Sequence, residues 1–580
     1  MSNYNAPLPD QKFVIKQLCD SAAIAKLPGY EEASEDLIDA ILEGAATFAG
    51  EVLAPLNHSG DQAGANIVDA GVVPAPGFKE AYKQYVEQGW PSLGCDPDFG
   101  GQGMPHLLEV SVMEMLQSAN LSFALCPMLG QGALAAVESH GSDELKGLFL
   151  AQMVSGEWAG TMNLTESQAG SDLAAVRTKA VPSGDNYLIS GQKIFITWGD
   201  HNMAENIIHL VLARLPDAPT GTKGISLFVV PKFQLKADGS PGERNDVYAV
   251  SLEHKLGIHA SPTCMMSFGD NGGAVGYLVG EENKGLRYMF TMMNHARLNV
   301  GLQGLAVSER AYQLAAAYAK ERVQGSGLTI IKYPDIRRML MIVRSSVEAM
   351  RAITYTTMGM LDIASHSPDE SARVAAQQRV DIMTPIVKGW CTEMANEMTS
   401  HGIQIHGGMG FIEETGAAQY YRDARILAIY EGTNGIQALD LVGRKFLRDG
   451  GKAMVALIAD IEITASEMAS VDGLSAQGAA FNTGLGQLKE AVGWIADNAG
   501  TENLPEAVSF NLLMLAGYVT GGWQMARAAL AVQGDDSLFA QNKLISCQFY
   551  FDHLLTRAAS HLAMIKTGTG SVMALAEDSF

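Results

Sequence analysis

The chain has 580 residues, 47% hydrophobic and 18% charged, a composition typical of three or four domains with a large core. Its net charge of -23 argues against a surface for nucleic acid or anionic membrane, because such surfaces depend on clustered Lys and Arg. The six cysteines are scattered without a Cys-x-x-Cys pair, which favours reduced thiols in a cytoplasmic protein.

Residues 1–155 are predicted to form an N-terminal helical domain. Apolar residues recur at helical spacing over 35–48 and again over 107–121. Between these two segments, residues 90–105 are rich in Gly and Pro and predict a loop. The first residues lack the basic region and apolar stretch of a signal peptide, so we expect no export signal.

Residues 156–280 are predicted to form a β domain. Helical periodicity then returns, predicting a helical bundle domain over 281–448 and an additional helical domain over 449–580. Because the elements are segregated rather than alternating, the expected fold is mostly α with a central β domain. The β domain is indicated by four short runs rich in β-branched and aromatic residues, at 187–190, 193–197, 207–213 and 225–230.

The region after 449 is acidic, with six Lys or Arg against thirteen Asp or Glu over 450–580. Its most apolar run, 512–532, contains Thr520, Gln524 and Arg527. We therefore predict a buried core helix there and no membrane span.

One carboxylate stands out in the bundle region. Glu431 lies in Tyr430-Glu431-Gly432-Thr433, a predicted turn between two helical segments. A carboxylate so placed can accept a carbon-bound proton if burial raises its basicity. The alternative is a solvent-facing Glu near a helix N-terminus, where the helix dipole also favours an acidic residue. The motif alone leaves both open.

Two segments of the β domain could contact a ligand. Residues 162–173 could present hydroxyls and main-chain N–H groups to a phosphate, although an ordinary cap formed by Ser171 or Asp172 is the alternative. A strand ends in Phe195 and Thr197, against which a planar cofactor could lie. A plain strand end is the alternative for that segment.

Other common motifs do not fit. Residues 406–410 fail the glycine spacing of a dinucleotide-binding loop and lack a βαβ context, so we expect no Rossmann domain. His401 and His406 are five residues apart, which suits neither face of a helix, and we expect no metal site.

In their order, spacing and content, these segments resemble the acyl-CoA dehydrogenase family over about residues 35–445. The length and the extra C-terminal region are most similar to a larger bacterial subgroup of it. The matching segments are 165–172, 195–197, 254–258, 261–263, 294–297, 318–322, 404–410, 422–425 and 430–433.

The resemblance implies an α-helical domain, a β-barrel-like domain and a four-helix bundle, with FAD as cofactor. It implies an enzyme that dehydrogenates an acyl-CoA thioester to the trans-2-enoyl-CoA, with hydride passing to flavin N5. Glu431 would take the α proton. Some relatives carry the catalytic Glu immediately before Arg297, but that position is Ala296 here.

The resemblance also implies binding roles. Ser171 would lie near the FAD pyrophosphate, Phe195 against the isoalloxazine and Thr197 on flavin N5, while Arg322 and residues 404–408 would reach FAD from a neighbouring subunit. The full FAD set is Met162, Thr165, Ser171, Phe195, Thr197, Arg322, Gln404, Gly408 and Thr433. The substrate set is Ser171, Asn294, Arg297, Tyr430 and Gly432.

The implied partners are an acyl-CoA substrate, an electron-transfer flavoprotein as acceptor and a second copy of the chain in a homodimer. The subgroup points to 3-(methylthio)propanoyl-CoA or a short- to medium-chain acyl-CoA. The alternatives are a long-chain acyl-CoA dehydrogenase, an acyl-CoA oxidase, and a non-catalytic relative that serves in assembly or nucleic-acid binding. The intact Glu431 and the acidic C-terminal region argue against the last of these.

Overall fold

The computed structural model describes residues 4–69 and 71–580, which form two compact units. The helical unit comprises the described residues up to Ala46, together with Pro105–Ser118 and Arg297–Phe580. The sheet unit comprises Thr47–Met104 and Ala119–Ala296. The mostly helical class, with a central sheet and an extra C-terminal helical region, is confirmed.

Helices make up most of the described chain. The predicted helix over 35–48 is confirmed. The second, over 107–121, ends at Ala119 because Asn120 is extended and its side chain caps the next helix, accepting from Phe123 N at 3.1 Å. The helices are α1 (Leu8–Phe13), α2 (Ser21–Ile24), α3 (Glu35–Phe48), α4 (Ala54–Ala63), α5 (Phe78–Glu87), α6 (His106–Ala119), α7 (Leu121–His140), α8 (Asp143–Ser155), α9 (Gly285–Glu321), α10 (Pro334–His366), α11 (Glu370–His406), α12 (Ala417–Arg425), α13 (Asn434–Leu439), α14 (Lys452–Ser470), α15 (Ser475–Asn498), α16 (Leu504–Ala531), α17 (Leu538–Phe549) and α18 (Ala558–Lys566).

The strands lie in the sheet unit, apart from a short hairpin that follows α9. The four predicted runs are all found as strands, and the first two join into the long strand β5. The strands are β1 (Asn66–Val68), β2 (Gly71–Val73), β3 (Trp158–Asn163), β4 (Lys179–Ser183), β5 (Asn186–Thr197), β6 (Asn206–Ala213), β7 (Ser226–Pro231), β8 (Phe233–Leu235), β9 (Pro241–Arg244), β10 (Val247–Leu252), β11 (Thr263–Phe268), β12 (Ala274–Leu278), β13 (Val323–Gln324) and β14 (Leu328–Thr329).

The main sheet curls around β5. Its order is β10-β11-β5-β12-β7-β6-β3, with β4 also paired to β5. The first half of β5 pairs with β4 and β12 and the second half with β11, so the strand turns from one set of neighbours to another. The concave face is filled by buried side chains that include Phe228, Val230 and Phe268. This core fixes where the end of β5 is presented.

The extra C-terminal helices belong to the core of the helical unit. Trp390 of α11 is fully buried and lies against two glycines of α16. A Cβ added at Gly517 would lie 2.1 Å from Trp390 Cγ, and one at Gly521 would lie 3.2 Å from Cη2. Larger residues at these positions would push the two helices apart, so α16 packs closely on α11.

A buried ionic network joins distant parts of the helical unit. Arg351 of α10 donates to Glu114 of α6 at 2.7 Å, to Glu309 of α9 at 2.8 Å and to Asp10 of α1. Lys543 of α17 pairs with the same Asp10. Burial alone would raise the pKa of Asp10, but the two cations hold it at about 2. Helices α1 and α17, from opposite ends of the sequence, are therefore tied by charge.

Within the described chain, α7 has the length and hydropathy of a membrane span, but 78% of its apolar window is buried inside the protein. The apolar run from 512 lies in the mostly buried α16. The six cysteines are free thiols, five of them buried. Residues 4–69 and 71–580 contain no group of three or more His, Cys, Asp or Glu residues that could hold a metal ion.

Replacing Lys543 by Ala should destabilise the protein, because Asp10 and Glu348 would keep buried charges without this cation. Breaking a buried ion pair typically costs about 3–5 kcal/mol. The change is measured by urea unfolding at pH 7. The control is Lys489→Ala, whose partner Glu462 is exposed, with an expected loss of about 0–1 kcal/mol.

The difference in the free energy of unfolding between Lys543→Ala and the wild type should depend on pH. The depressed pKa of Asp10, about 2, makes its ion pairs stabilising above its unfolded pKa of roughly 4, and this stabilisation is lost as the pH falls through about 2. The difference between Lys543→Ala and the wild type should shrink across that window. A difference that is already negligible at pH 7 would contradict the role of the network.

Candidate active site

Glu431 lies in a tight turn of the helical unit, between a 3-10 segment, Ile426–Ala428, and α13. Its φ is +55° and that of Gly432 is +87°, so two consecutive residues are left-handed. For a residue with a side chain this conformation costs about 1 kcal/mol or more, and it persists only where neighbours enforce it. The left-handed φ favours glycine at 432, and an added Cβ would also lie 2.7 Å from Gln437 Nε2.

Several side chains enforce this turn. Arg297 Nε donates to the main-chain oxygen of Glu431 at 3.4 Å, and Gln437 Nε2 donates to the same oxygen at 3.4 Å. Thr433 caps α13, its hydroxyl accepting from Ile436 N at 3.3 Å. Asn434, the first residue of α13, is held by α11. The turn is therefore fixed by α9, α11 and α13 together.

The electrostatics of this turn favour a base. The side chain of Glu431 keeps some accessible surface, but the surrounding protein raises its pKa to about 7, although Arg297 and Lys388 act to lower it. The neighbouring Tyr430 donates its hydroxyl to Gln303, and burial raises the pKa of Tyr430 well above its ordinary value. A carboxylate with a pKa near 7 can both accept and release a proton at neutral pH.

In the sheet unit, the end of β5 projects one aromatic ring. Two residues of β5, Ile194 and Phe195, stand opposite a single residue of β11, which makes a bulge. Phe195 has φ +60° and is 59% exposed. Thr197, half-buried, pairs with Thr263, and Trp198 anchors the strand end by donating to Ser122 O at 3.0 Å. This strand therefore ends in a bulge that exposes Phe195, and not in the plain strand end considered as the alternative.

A buried ion pair shapes the loop that follows β3. Glu166 accepts from Lys193 Nζ at 2.8 Å, from Thr178 Oγ1 at 2.6 Å and from Arg177 N at 2.7 Å. Burial would raise the pKa of Glu166, but the Lys193 ammonium and these donors hold it at about 2. Because Lys193 belongs to β5, the pair fixes this loop against the strand that carries Phe195.

The predicted ligand residues of this loop differ in exposure. Met162 and Thr165 are half-buried, and Thr165 O accepts from Ile194 N at 2.9 Å. Ser171 is exposed. The cap proposed as an alternative is present at Asp172, whose carboxylate accepts from Ala174 N at 2.9 Å. The cap does not involve the Ser171 side chain, which therefore stays available to a ligand.

A second group of predicted residues lies where α9 and α11 end, in the helical unit. The rings of Tyr318 and His406 contact each other in a tilted arrangement, with centroids 4.5 Å apart, and bring the two helix ends together. Arg322, Gln404 and Gly408 are all exposed here. An added Cβ at Gly408 would meet no heavy atom of the described chain within 4 Å. Asn294 is exposed on α9 and belongs to the sheet unit.

The structure therefore assembles the predicted residues into three separate groups. Glu431, Tyr430, Gly432, Thr433 and Arg297 form the turn cluster of the helical unit. A second group is formed by Arg322, Gln404 and Gly408. The third, in the sheet unit, comprises Met162, Thr165, Ser171, Phe195 and Thr197.

Comparisons with known proteins cover nearly the whole chain. Family models for acyl-CoA dehydrogenases match in order: the N-terminal domain at 36–157, the middle domain at 161–271 and the C-terminal domain at 283–446. A model described as acetyl-CoA dehydrogenase C-terminal like matches 454–576. The 3-methylmercaptopropionyl-CoA dehydrogenase of Ruegeria pomeroyi is 46% identical over 97% of this chain and 98% of its own.

The chain belongs to the acyl-CoA dehydrogenase family. Members of this family are FAD-dependent oxidoreductases. A butyryl-CoA dehydrogenase of Syntrophomonas wolfei is 36% identical over 100% of this chain and 99% of its own. The crystal structure of a Bacillus anthracis acyl-CoA dehydrogenase complexed with FAD shares the fold, with a TM-score of 0.76 at 22% identity, over 93% of this chain and 90% of that one.

Family membership does not by itself reveal the residues that organise these groups. Lys388 and Asn434, which face the Glu431 turn, and Lys193, which pairs with Glu166, were not among the predicted site residues. The available signal was chemical: Lys193 stands in a run that is otherwise strand-like and apolar, and Lys388 stands in an apolar part of α11. A lysine is almost never fully buried unless it is paired.

Proposed function

We propose that this protein removes the α proton of an acyl-CoA thioester with Glu431 as the base, giving the trans-2-enoyl-CoA. The observation that carries the proposal is the geometry of the turn. The turn holds the Glu431 carboxylate, whose pKa is about 7, beside the cations Arg297 and Lys388. This arrangement favours the base over the alternative of a solvent-facing Glu at a helix start.

The chemistry requires a base that is ionised yet shielded from water, since a proton α to a thioester is only weakly acidic. Arg297 holds the main-chain oxygen of Glu431 and so helps to fix the backbone of the turn from which the carboxylate projects. The main-chain N–H of Glu431 is the proposed donor to the thioester oxygen, where negative charge develops. A bound FAD would supply the acceptor for the β hydrogen, which leaves as a hydride.

The residues of the sheet unit suit a flavin. The bulge of β5 turns the Phe195 ring outward, which offers an apolar face for a planar ring system. Ser171 presents a hydroxyl on an exposed loop, suited to a phosphate. We propose that these residues bind FAD together with Met162, Thr165, Thr197 and Thr433, while Asn294, Arg297, Tyr430, Gly432 and Ser171 contact the acyl-CoA.

Glu431→Gln should retain FAD and lower kcat by at least ~10²–10⁴, the usual range for loss of a general base. In the wild type, kcat/KM should rise as the pH increases through about 7, because Glu431 must be ionised to accept a proton. Glu490→Gln, at an exposed ion pair of the helical unit, is the control and should leave both unchanged. Near-normal turnover of flavin-loaded Glu431→Gln would disprove the assignment.

We also propose a homodimer in which Arg322, Gln404 and Gly408 reach the FAD of the neighbouring subunit. Their surroundings expose apolar side chains, which marks a surface suited to a second protein. In particular Phe411 is 84% exposed. Met409 and Ile412, each 46% exposed, flank Phe411 in the sequence, and Val323 at 52% and Leu328 at 42% lie in the hairpin that follows α9.

Arg322→Ala should lose FAD on dilution, because a cation facing a phosphate or a neighbouring polar group contributes charge-assisted hydrogen bonds. The flavin-to-protein ratio is measured by absorbance after gel filtration, with mass from light scattering. Arg338→Ala, at an exposed ion pair of α10, serves as the control. A dimeric Arg322→Ala that stays fully loaded with flavin would show that Arg322 does not hold FAD.

The substrate is proposed to be 3-(methylthio)propanoyl-CoA or a short- to medium-chain acyl-CoA. The two relatives described above are named for 3-methylmercaptopropionyl-CoA and butyryl-CoA. An electron-transfer flavoprotein is the proposed acceptor. A cytoplasmic location is proposed because all six cysteines are free.

Four domains are proposed from the sequence pattern: 1–155, 156–280, 281–448 and 449–580. The limits of the family models support them.

Butanoyl-, octanoyl-, palmitoyl- and 3-(methylthio)propanoyl-CoA should be assayed side by side, each with an electron-transfer flavoprotein and with O₂ alone. We expect measurable turnover of both the butanoyl and the methylthiopropanoyl thioester, with kcat/KM values that differ by no more than about 10–200-fold, since one methylene in an apolar pocket discriminates by only about 1–3 kcal/mol. Turnover of palmitoyl-CoA alone would favour the long-chain alternative. Full turnover with O₂ alone would favour the oxidase.

A further inference from the structure

Lys388 is a fully buried lysine on α11 that faces the Glu431 turn. In the described part of the chain its Nζ donates one hydrogen bond, to Asn434 Oδ1 at 2.8 Å. The bond is to an amide rather than a carboxylate, so the ammonium has no counter-ion in direct contact. Burying such a charge is expensive unless an opposite charge lies nearby.

Asn434 connects Lys388 to the turn. It follows Glu431 by three residues and is the first residue of α13. Its amide nitrogen donates to Thr392 Oγ1 at 2.9 Å and to Glu393 Oε1 at 2.8 Å, both on α11. Lys388 and these two residues therefore hold Asn434 from one helix, and they fix the start of α13 and the turn before it.

The charged groups around the turn come from three elements. Arg297 of α9 and Lys388 of α11 are the cations that act on Glu431. Arg297 is itself influenced by Asp440 and Arg444, which follow α13. Lys388 is acted on by Glu431, by Arg297 and by Glu393, and Tyr430 precedes Glu431 in the turn.

The packing of α11 prevents Lys388 from moving away from this position. Gly389, its neighbour, lies so close to α16 that an added Cβ would be 2.6 Å from Leu513 Cδ1. Trp390 is fully buried against Gly517 of the same helix. The residues after Lys388 are thus locked against α16, so its Nζ stays beside the turn.

We propose that Lys388 is a positioning residue for the reaction, which holds the turn through Asn434 and adds to the positive charge that favours the ionised form of Glu431. This inference rests on the proposed role of Glu431 as the base. Arg297 also acts on Glu431, and its guanidinium is bonded to the main chain of the turn, whereas Lys388 adds a second positive charge from α11.

The direction of the effect follows from the charges. Burial raises the pKa of Glu431 and lowers that of Lys388, while each group acts on the other to favour its charged form. Removing the ammonium should therefore raise the pKa of Glu431 further. An opposite charge at close range typically shifts a carboxyl pKa by about 1–3 units.

The test compares Lys388→Met with the wild-type holoenzyme. The protonation of Glu431 is followed directly by infrared difference spectroscopy of its carboxyl band across a pH titration, with Glu431→Gln used to assign the band. We expect the titration and the acid limb of kcat/KM to move together to higher pH, by about 1–3 units. Lys388→Gln gives the same neutral comparison if Lys388→Met does not fold.

Three further variants separate the effect of the positive charge of Lys388 from the effect of its hydrogen bond to Asn434. Lys388→Arg keeps the charge and should retain the wild-type titration. Asn434→Ala removes this hydrogen bond but not the charge, so kcat should fall without a comparable shift of the Glu431 titration. Lys445→Met removes a lysine paired with Asp381 elsewhere in the helical unit, and it should change neither kcat nor the Glu431 titration.

The outcomes distinguish the two proposals. An unchanged carboxyl titration in both neutral variants at Lys388 would overturn the inference, even if Glu431→Gln is inactive. Near-normal turnover of Glu431→Gln would overturn the assignment of the base, whereas the infrared titration would still report whether Lys388 acts on Glu431. A shifted titration without any change in the acid limb of kcat/KM would also count against the role in the reaction.

Discussion

The balance between burial and positive charge at Glu431 is the interaction on which the catalytic proposal depends. Burial alone would leave this carboxyl protonated and unable to accept a proton. Full pairing with a cation would leave it ionised but too weak as a base. Arg297 and Lys388 provide an intermediate case, in which the pKa stays near 7. Contacts from α9, α11 and α13 keep these three groups in place.

Helix α11 links this balance to the packing of the C-terminal helices. It carries Lys388 and Trp390 side by side, one facing the turn and the other buried against α16. Its C-terminal end carries Gln404 and the exposed glycines proposed to reach a second subunit. A change in how α16 packs would therefore act on the base through one helix, without any contact between α16 and the substrate.

Much of the fold and part of the site follow from the sequence, because they depend on local patterns. The helix over 35–48, the strand ending at Thr197 and the glycine-flanked Glu431 were all recognisable in this way. The sequence did not show that two strand runs join into β5. The connection depends on Gly191, where an added Cβ would lie 2.6 Å from Thr178 Oγ1 in a different segment.

The unpredicted parts of the site share a physical origin. Lys193 with Glu166 and Lys388 with Asn434 are pairs whose members are 27 and 46 residues apart. Hydrophobic periodicity reports which face of an element is buried, but it carries no information about which polar group a buried lysine will meet. Such pairs require the three-dimensional arrangement, and so does the bulge that exposes Phe195.

The network around Asp10 has a consequence for biosynthesis. Asp10 and Lys543 are 533 residues apart, so α1 and α17 leave the ribosome at very different times. At about 5–20 residues per second, roughly 30–100 s pass between them. During this interval the nascent chain carries the acidic residues of the network without Lys543, the cation that is made last. The N-terminal helix can therefore reach its final charge environment only after translation of the catalytic region is complete.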